Sequence, residues 1–172
     1  MSPPLAFVEI DPDGRCIVAA PEMDEIGPAF SALYARAGFV PPWIGYVSVR
    51  EGVPVGVCGF NGPPAGGRVE ISYHTFPGFE GRGVATAMAR RLVELAVARE
   101  PGVLVTARTL PRKSASTSIL RKLGFLLQGI VEDPEEGPVW EWLRPADRDP
   151  AAVDRAGSPP SASPEGAPGG GL

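Results

Sequence analysis

Glu70, His74, Gly81 and Gly83 fall in one stretch, Val69 to Thr86, that reads as a strand, a glycine-rich turn and the start of a long helix. In a strand, alternate residues share a face. Glu70, Ser72, His74 and Phe76 therefore lie on one side, with Val69, Ile71, Tyr73 and Thr75 on the other. A carboxylate and an imidazole are both groups that move protons. The turn that follows suits a different task. A helix start leaves backbone N–H groups without partners and carries partial positive charge. Gly81 and Gly83 let that backbone approach a ligand with no Cβ in the way. Such a place suits a phosphate or pyrophosphate. No Gly-Lys-Ser/Thr follows, and the glycines are too close for a dinucleotide-binding Gly-x-Gly-x-x-Gly. Many strand-to-helix turns use glycine for geometry alone, and a strand glutamate is often only ion-paired.

A second segment narrows the choice. Lys113-Ser114-Ala115-Ser116-Thr117-Ser118-Ile119-Leu120-Arg121-Lys122-Leu123-Gly124-Phe125 reads as a capped short helix ending in Leu-Gly-Phe. With Glu80-Gly81-Arg82-Gly83-Val84-Ala85, it resembles the motifs of the GNAT superfamily, the acetyl-CoA-dependent N-acyltransferases. That family's turn reads Gln/Arg-x-x-Gly-x-Gly/Ala, and its later helix often reads Asn-x-x-Ser. The similarity spans roughly Ala20 to Arg144 and looks closest to the ribosomal-protein N-terminal acetyltransferase branch. Three positions depart from the pattern. Glu80 stands for Gln or Arg, Lys113 for Asn, and Leu120 for a tyrosine that protonates the departing thiolate in many relatives.

The resemblance implies an α/β (α+β) fold: a mixed, strongly twisted sheet flanked by helices, with splayed central strands and acyl-CoA in the opening. It implies that amides from Gly81, Arg82, Gly83, Val84, Ala85 and Thr86 hold the CoA pyrophosphate, and that His74, Thr75 and Phe76 bond the pantetheine arm. Glu70 aligns with the family's general base, and Ser116 with a serine proposed as the acid. His74 is the chain's only histidine and a second candidate base or relay. The expected reaction moves acetyl from acetyl-CoA to a primary amine: a protein N-terminus, a lysine or a small molecule. The three departures leave an alternative, a non-catalytic acyl-CoA-binding or regulatory module. Dimers are frequent in the family, so a homodimer is one expectation.

The general chemistry is consistent with that scheme. An attacking amine must be neutral, yet N-terminal amines have pKa near ~7.7–8.0 and lysine near ~10.4, so a base must take a proton. A thiol with pKa near ~8.5 leaves tolerably as thiolate, so direct attack without an acyl-enzyme is the default. Cys58 sits in an apolar strand with no basic neighbour to activate it.

Composition sets the outer bounds. The chain has 172 residues, 44% hydrophobic, and a formal charge of −4, which argues against nucleic acid as the main partner. One histidine and two unclustered cysteines argue against a metal site. The cysteines read as free thiols of a reducing compartment. The opening residues carry no export signal and no apolar run spans a bilayer, so a cytoplasmic location is expected. Residues 1–145 read as one domain. Residues 146–172, rich in proline, glycine, serine and alanine, read as a disordered tail.

The elements follow from periodicity and punctuation. Phe7–Ile10 and Cys16–Ala19 read as short strands around Asp11-Pro12-Asp13-Gly14. A helix is expected from Met23 to Ala37, capped by Asp24 and Gly38, with Gly27-Pro28 bending it or starting it. Ile44–Arg50 and Val53–Phe60 form a hairpin about Glu51-Gly52. Arg68–Phe76 is a strand, Arg82–Arg99 a helix and Val103–Ala107 a buried strand. Ser114 caps a helix ending at Leu123, and Phe125–Val131 and Pro138–Leu143 pair last. Pro41-Pro42-Trp43 and the acidic turn Glu132–Glu136 are expected to border the substrate.

Overall fold

The computed structural model describes residues 3–146, so the expected tail, apart from Ala146, lies outside the described residues. Ten elements follow in chain order: β1 (Ala6–Glu9), α1 (Met23–Ala37), β2 (Gly45–Arg50), β3 (Val53–Phe60), β4 (Arg68–Thr75), α2 (Val84–Arg99), β5 (Leu104–Thr109), α3 (Ala115–Lys122), β6 (Leu126–Asp133) and β7 (Gly137–Arg144). The seven strands form one sheet in the order β1-β2-β3-β4-β5-β7-β6. Every pair is antiparallel except β4 with β5. The mixed α/β sheet expected from the alternation of periods is the one observed.

The β2–β3 connection is a two-residue turn with Glu51 at φ 51° and Gly52 at φ 78°, the positive pair that a tight hairpin requires. On one face of the sheet, α2 buries Val84, Met88, Leu92, Ala89, Val93 and Ala96. Glycine at position 56 makes this possible: a Cβ there would come 2.8 Å from the His74 carbonyl and 3.0 Å from the Met88 sulfur.

Helix α1 packs elsewhere and is tied down by Tyr34. The Tyr34 hydroxyl donates to the Ile10 carbonyl and accepts from Gly45 N–H, both at 2.9 Å. One side chain thus joins the helix to the end of β1 and the start of β2. The helix runs unbroken through Pro28. Its N-cap is Glu22 with no side-chain cap, and Asp24 sits in the first turn, where a carboxylate still complements the helix's positive end.

The expected strand at Cys16–Ala19 does not form. Asp11 Oδ1 accepts from both Asp13 and Arg15 N–H at 2.9 Å, closing the turn locally. Gly14 then lies under Gly27 of α1, and a Cβ on either would overlap the other's carbonyl oxygen. That contact diverts the chain to the helix rather than back to the sheet, and Ile17 is left 95% exposed. Trp43, expected near the substrate, is instead core, packed edge-on to Phe60 at 5.0 Å.

The Gly14–Gly27 contact fixes the sign of a substitution. Alanine for glycine inside a helix ordinarily gains up to about 1 kcal/mol. Here the new methyl meets backbone, which cannot swing aside, and overpacking costs about 1–3 kcal/mol. Gly27→Ala is therefore expected to destabilise, read as a lower urea midpoint at unchanged m-value.

Candidate active site

Strands β4 and β5 pair only from Arg68 with Leu104 to Ile71 with Ala107. Beyond that rung both strands continue, each held on its other side: β4 to β3 as far as Thr75 with Gly56, and β5 to β7 as far as Thr109 with Trp140. The sheet therefore opens between Ser72 and Arg108. The expected splay is present.

Strand parity decides which backbone groups face the opening. Asn61 N–H bonds the Glu70 carbonyl and Phe76 N–H bonds the Val55 carbonyl, so even-numbered residues of β4 point their backbone toward β3. Leu104 N–H bonds the Gly67 carbonyl on the β5 side. The main-chain groups of Tyr73 and Thr75 therefore face the opening, while those of His74 and Phe76 are turned to β3.

Two cavities meet at this gap. The first, about 300 Å³, lies between the tip of β4, the end of β5 and the start of α3, with Ser72, Tyr73, Arg108, Ser114 and Ser116 in its wall. The second, about 730 Å³, lies on the α1 side, walled by Phe30, Leu33, Arg36, Asn61, Glu70 and the Asp133–Glu135 turn. Ser72 and Arg108 line both. The acidic turn expected beside the substrate is thus in the wall of the larger cavity.

Glu70 is held in place there. Asn61 Nδ2 donates to its Oε2 at 2.6 Å, and Arg108 Nε lies 3.7 Å from its Oε1. Partial burial pushes the Glu70 carboxyl above the usual glutamate value, and Arg108 and Asn61 offset only part of that. Arg108 also reaches Asp133 at 3.0 Å and Glu141 at 3.7 Å, so one guanidinium ties β4 to the β6–β7 hairpin across the gap. The sequence reading did not single out Arg108. The signal was faint: a lone arginine closing an apolar strand.

The turn before α2 carries two left-handed glycines and opens a helix. Gly81 and Gly83 sit at φ 74° and 75°, a conformation that side-chain-bearing residues rarely adopt. The helix ladder opens with Ala87 N–H bonding the Gly83 carbonyl at 3.0 Å, which leaves the N–H groups of Val84, Ala85 and Thr86 without helical acceptors. Glu80 does not intrude, because its Oε2 accepts from Gly78 N–H at 2.8 Å and folds back on the loop. Arg82 lies over the Phe79 ring at 5.7 Å. Arg50, also not anticipated, donates from Nη1 to the Arg82 carbonyl at 3.1 Å and steadies the turn.

Helix α3 places Ser116. Ser114 Oγ accepts from Thr117 N–H, and Thr117 Oγ1 accepts from Ser114 N–H, a reciprocal cap. Ser114 and Thr117 carry the backbone bonds of this turn. Among the described residues, no backbone hydrogen bond occupies the Ser116 hydroxyl, which remains in the wall of the smaller cavity. Leu120, where relatives carry a tyrosine, is fully buried in the core. His74 is exposed, lines neither cavity, and has its ring 6.5 Å from Phe76. Cys58 is buried with its thiol pushed up to about 12 by burial, so it stays protonated. Trp142 is core, its Nε1 donating to Thr109 Oγ1 at 3.0 Å.

The family model described as "Acetyltransferase (GNAT) domain" matches residues 18–126. The chain belongs to the GNAT acetyltransferase family. Among solved structures, this GNAT domain is similar to RimL, a ribosomal L7/L12 alpha-N-protein acetyltransferase. The apo form shares 19% identity at TM-score 0.64, over 86% of this chain and 97% of that one. The coenzyme A complex of RimL shares 21% at TM-score 0.59, over 74% and 73%. An IAA acetyltransferase from Bacillus cereus is alike at 15% identity and TM-score 0.62, over 82% and 99%. Comparison with curated proteins finds no match. At these identities the structural likeness establishes the fold alone. Among the described residues, no helix is long and apolar enough to cross a membrane, and no His/Cys/Asp/Glu group is arranged to hold a metal.

The raised Glu70 value has a signed consequence. The folded protein holds this proton more tightly than the unfolded chain, so stability falls as pH rises from the ordinary glutamate value through the raised one. Glu70→Gln removes that part of the slope. Urea denaturation of both proteins from about pH 4 to about pH 8 checks this, since a constant difference between them refutes it.

Proposed function

We propose that this GNAT domain is an N-acetyltransferase that moves acetyl from acetyl-CoA to a primary amine by direct attack on the thioester. The observation that carries the reading is the meeting of two cavities at the parted strands, with Ser72 and Arg108 common to both. A group-transfer enzyme needs donor and acceptor brought together from opposite sides, and this opening allows it.

In this reading the diphosphate lies against the amides of Gly81 through Thr86, with Arg82 adding charge. The dipole contributes about 0.3–1 kcal/mol per contact, so several hydrogen bonds must supply most of the hold. The pantetheine arm runs along the β4 edge, where Thr75 presents backbone groups toward the gap, and His74 and Phe76 flank it. The thioester then reaches the smaller cavity beside Ser116. The amine enters through the larger cavity, past Asp133 and Glu135, whose charge favours a cation. Glu70 takes the surplus proton, directly or through water. Its raised value makes it a better base than an ordinary glutamate. His74, exposed and outside both cavities, is the weaker candidate for that role. The buried Cys58 thiol supports direct attack over an acyl-enzyme.

Thiol release from acetyl-CoA, measured with protein N-terminal peptides, lysine peptides and small amines, tests the reading. Glu70→Ala is expected to lower kcat/KM about a hundredfold while calorimetry shows CoA binding intact. CoA binding without turnover on any amine would instead favour a non-catalytic CoA-binding module. No CoA binding at all would remove both.

A further inference from the structure

One polar atom near the gap is unaccounted for. The Tyr73 hydroxyl is sealed from solvent and has no hydrogen-bond partner among the described residues. Tyr73 sits on β4, in the wall of the smaller cavity, opposite the start of α3. Ser116 is close enough that its hydroxyl would stabilise a Tyr73 anion, yet the two are out of hydrogen-bonding geometry. A buried donor without an acceptor is costly in a resting protein. Phenylalanine would fill the same space without that cost.

Ser116 has the complementary deficiency. The cap of α3 is completed by Ser114 and Thr117, so nothing in the backbone orients the Ser116 hydroxyl. The helix offers no tyrosine toward the cavity, because position 120 is a buried leucine. A phenol is the stronger donor and a serine oxygen the better acceptor. Burial pushes the Tyr73 hydroxyl up to about 12, so it keeps its proton throughout the neutral range.

We propose that Tyr73 is a positioning residue for acyl transfer: when the thioester is bound and the Ser116 side chain rotates to meet it, the Tyr73 hydroxyl donates to Ser116 Oγ and so turns the Ser116 proton toward the thioester sulfur. This rests on the acetyltransferase reading above. The amine nitrogen bonds the carbonyl carbon, the carbon–sulfur bond breaks, and its electron pair goes to sulfur. The Ser116 O–H hydrogen-bonds the sulfur as its charge grows. Neither hydroxyl gives up its proton. The thiolate leaves as such and is protonated by water, while the amine's proton departs through Glu70.

The test is steady-state thiol release with Tyr73→Phe, Ser116→Ala and the double variant, alongside CoA calorimetry and thermal melts. Tyr73→Phe is expected to lower kcat about tenfold, the worth of one charge-assisted hydrogen bond, with KM for acetyl-CoA unchanged. It should melt no lower than wild type, because an orphaned hydroxyl is removed. The double variant should be no slower than Ser116→Ala, because Tyr73 acts only through Ser116. Wild-type kcat in Tyr73→Phe overturns the proposal, as does a double variant whose loss is the product of the single losses. A wild type that binds CoA but acetylates no amine overturns the enzymatic reading itself and the Tyr73 role with it.

Discussion

The parting of β4 from β5 after the Ile71–Ala107 rung is the constraint on which the site depends. A sheet that stayed closed would bond the Tyr73 and Thr75 backbone internally and leave no route between its faces. Here each strand is secured by its outer neighbour, β3 on one side and β7 on the other, so the gap costs few hydrogen bonds and stays open. The parallel pairing at this point matters, since parallel ladders are slightly weaker per residue and are joined by a long crossover, here through α2.

The two faces of the gap differ in chemistry because strand side chains alternate. On the α1 face stand Glu70, Arg108, Asp133 and Glu141, a charged network joined by one guanidinium. On the other, Tyr73 and Ser116 offer hydroxyls in a smaller cavity. In the proposed mechanism, base chemistry and sulfur chemistry thereby fall on opposite sides of the sheet, with Ser72 and Arg108 at the border. Arg108 bridges the halves on the charged face, and Arg68 of β4 adds a longer ion pair to Glu141 at 4.0 Å. The Arg108 ion pairs to Asp133 and Glu141 hold the β6–β7 hairpin over the larger cavity.

The departures from the family motif take on a local meaning. Glu80 would repel a diphosphate held at this turn if it pointed inward, yet it bonds Gly78 N–H and folds back on its own loop. Leu120 contributes apolar packing where the family pattern often has a tyrosine, and the phenol in the wall of the smaller cavity comes from β4 instead.

Local signals made much of this legible. Two glycines spaced two apart announced the turn, and both take positive φ. Ser114 announced the cap of α3, and the structure adds Thr117 as its reciprocal partner. Period-two alternation put Glu70 and Tyr73 on opposite faces, and the apolar rows of α2 face the sheet as their spacing requires. These are properties of neighbours along the chain, set by backbone sterics and by which side chains avoid water. What only the tertiary structure decided is which distant groups meet. Cys16–Ala19 has strand composition but no partner, because Gly14 against Gly27 sends the chain to α1. Trp43 looks like a rim residue and is core, because Phe60 covers it. Arg108 and the Tyr73 hydroxyl carry no motif, and their significance lies in three carboxylates on other strands and a serine on a later helix. The gap itself is invisible in periodicity, since a strand reads alike whether its neighbour stays or leaves; only the pull of β3 and β7 decides it.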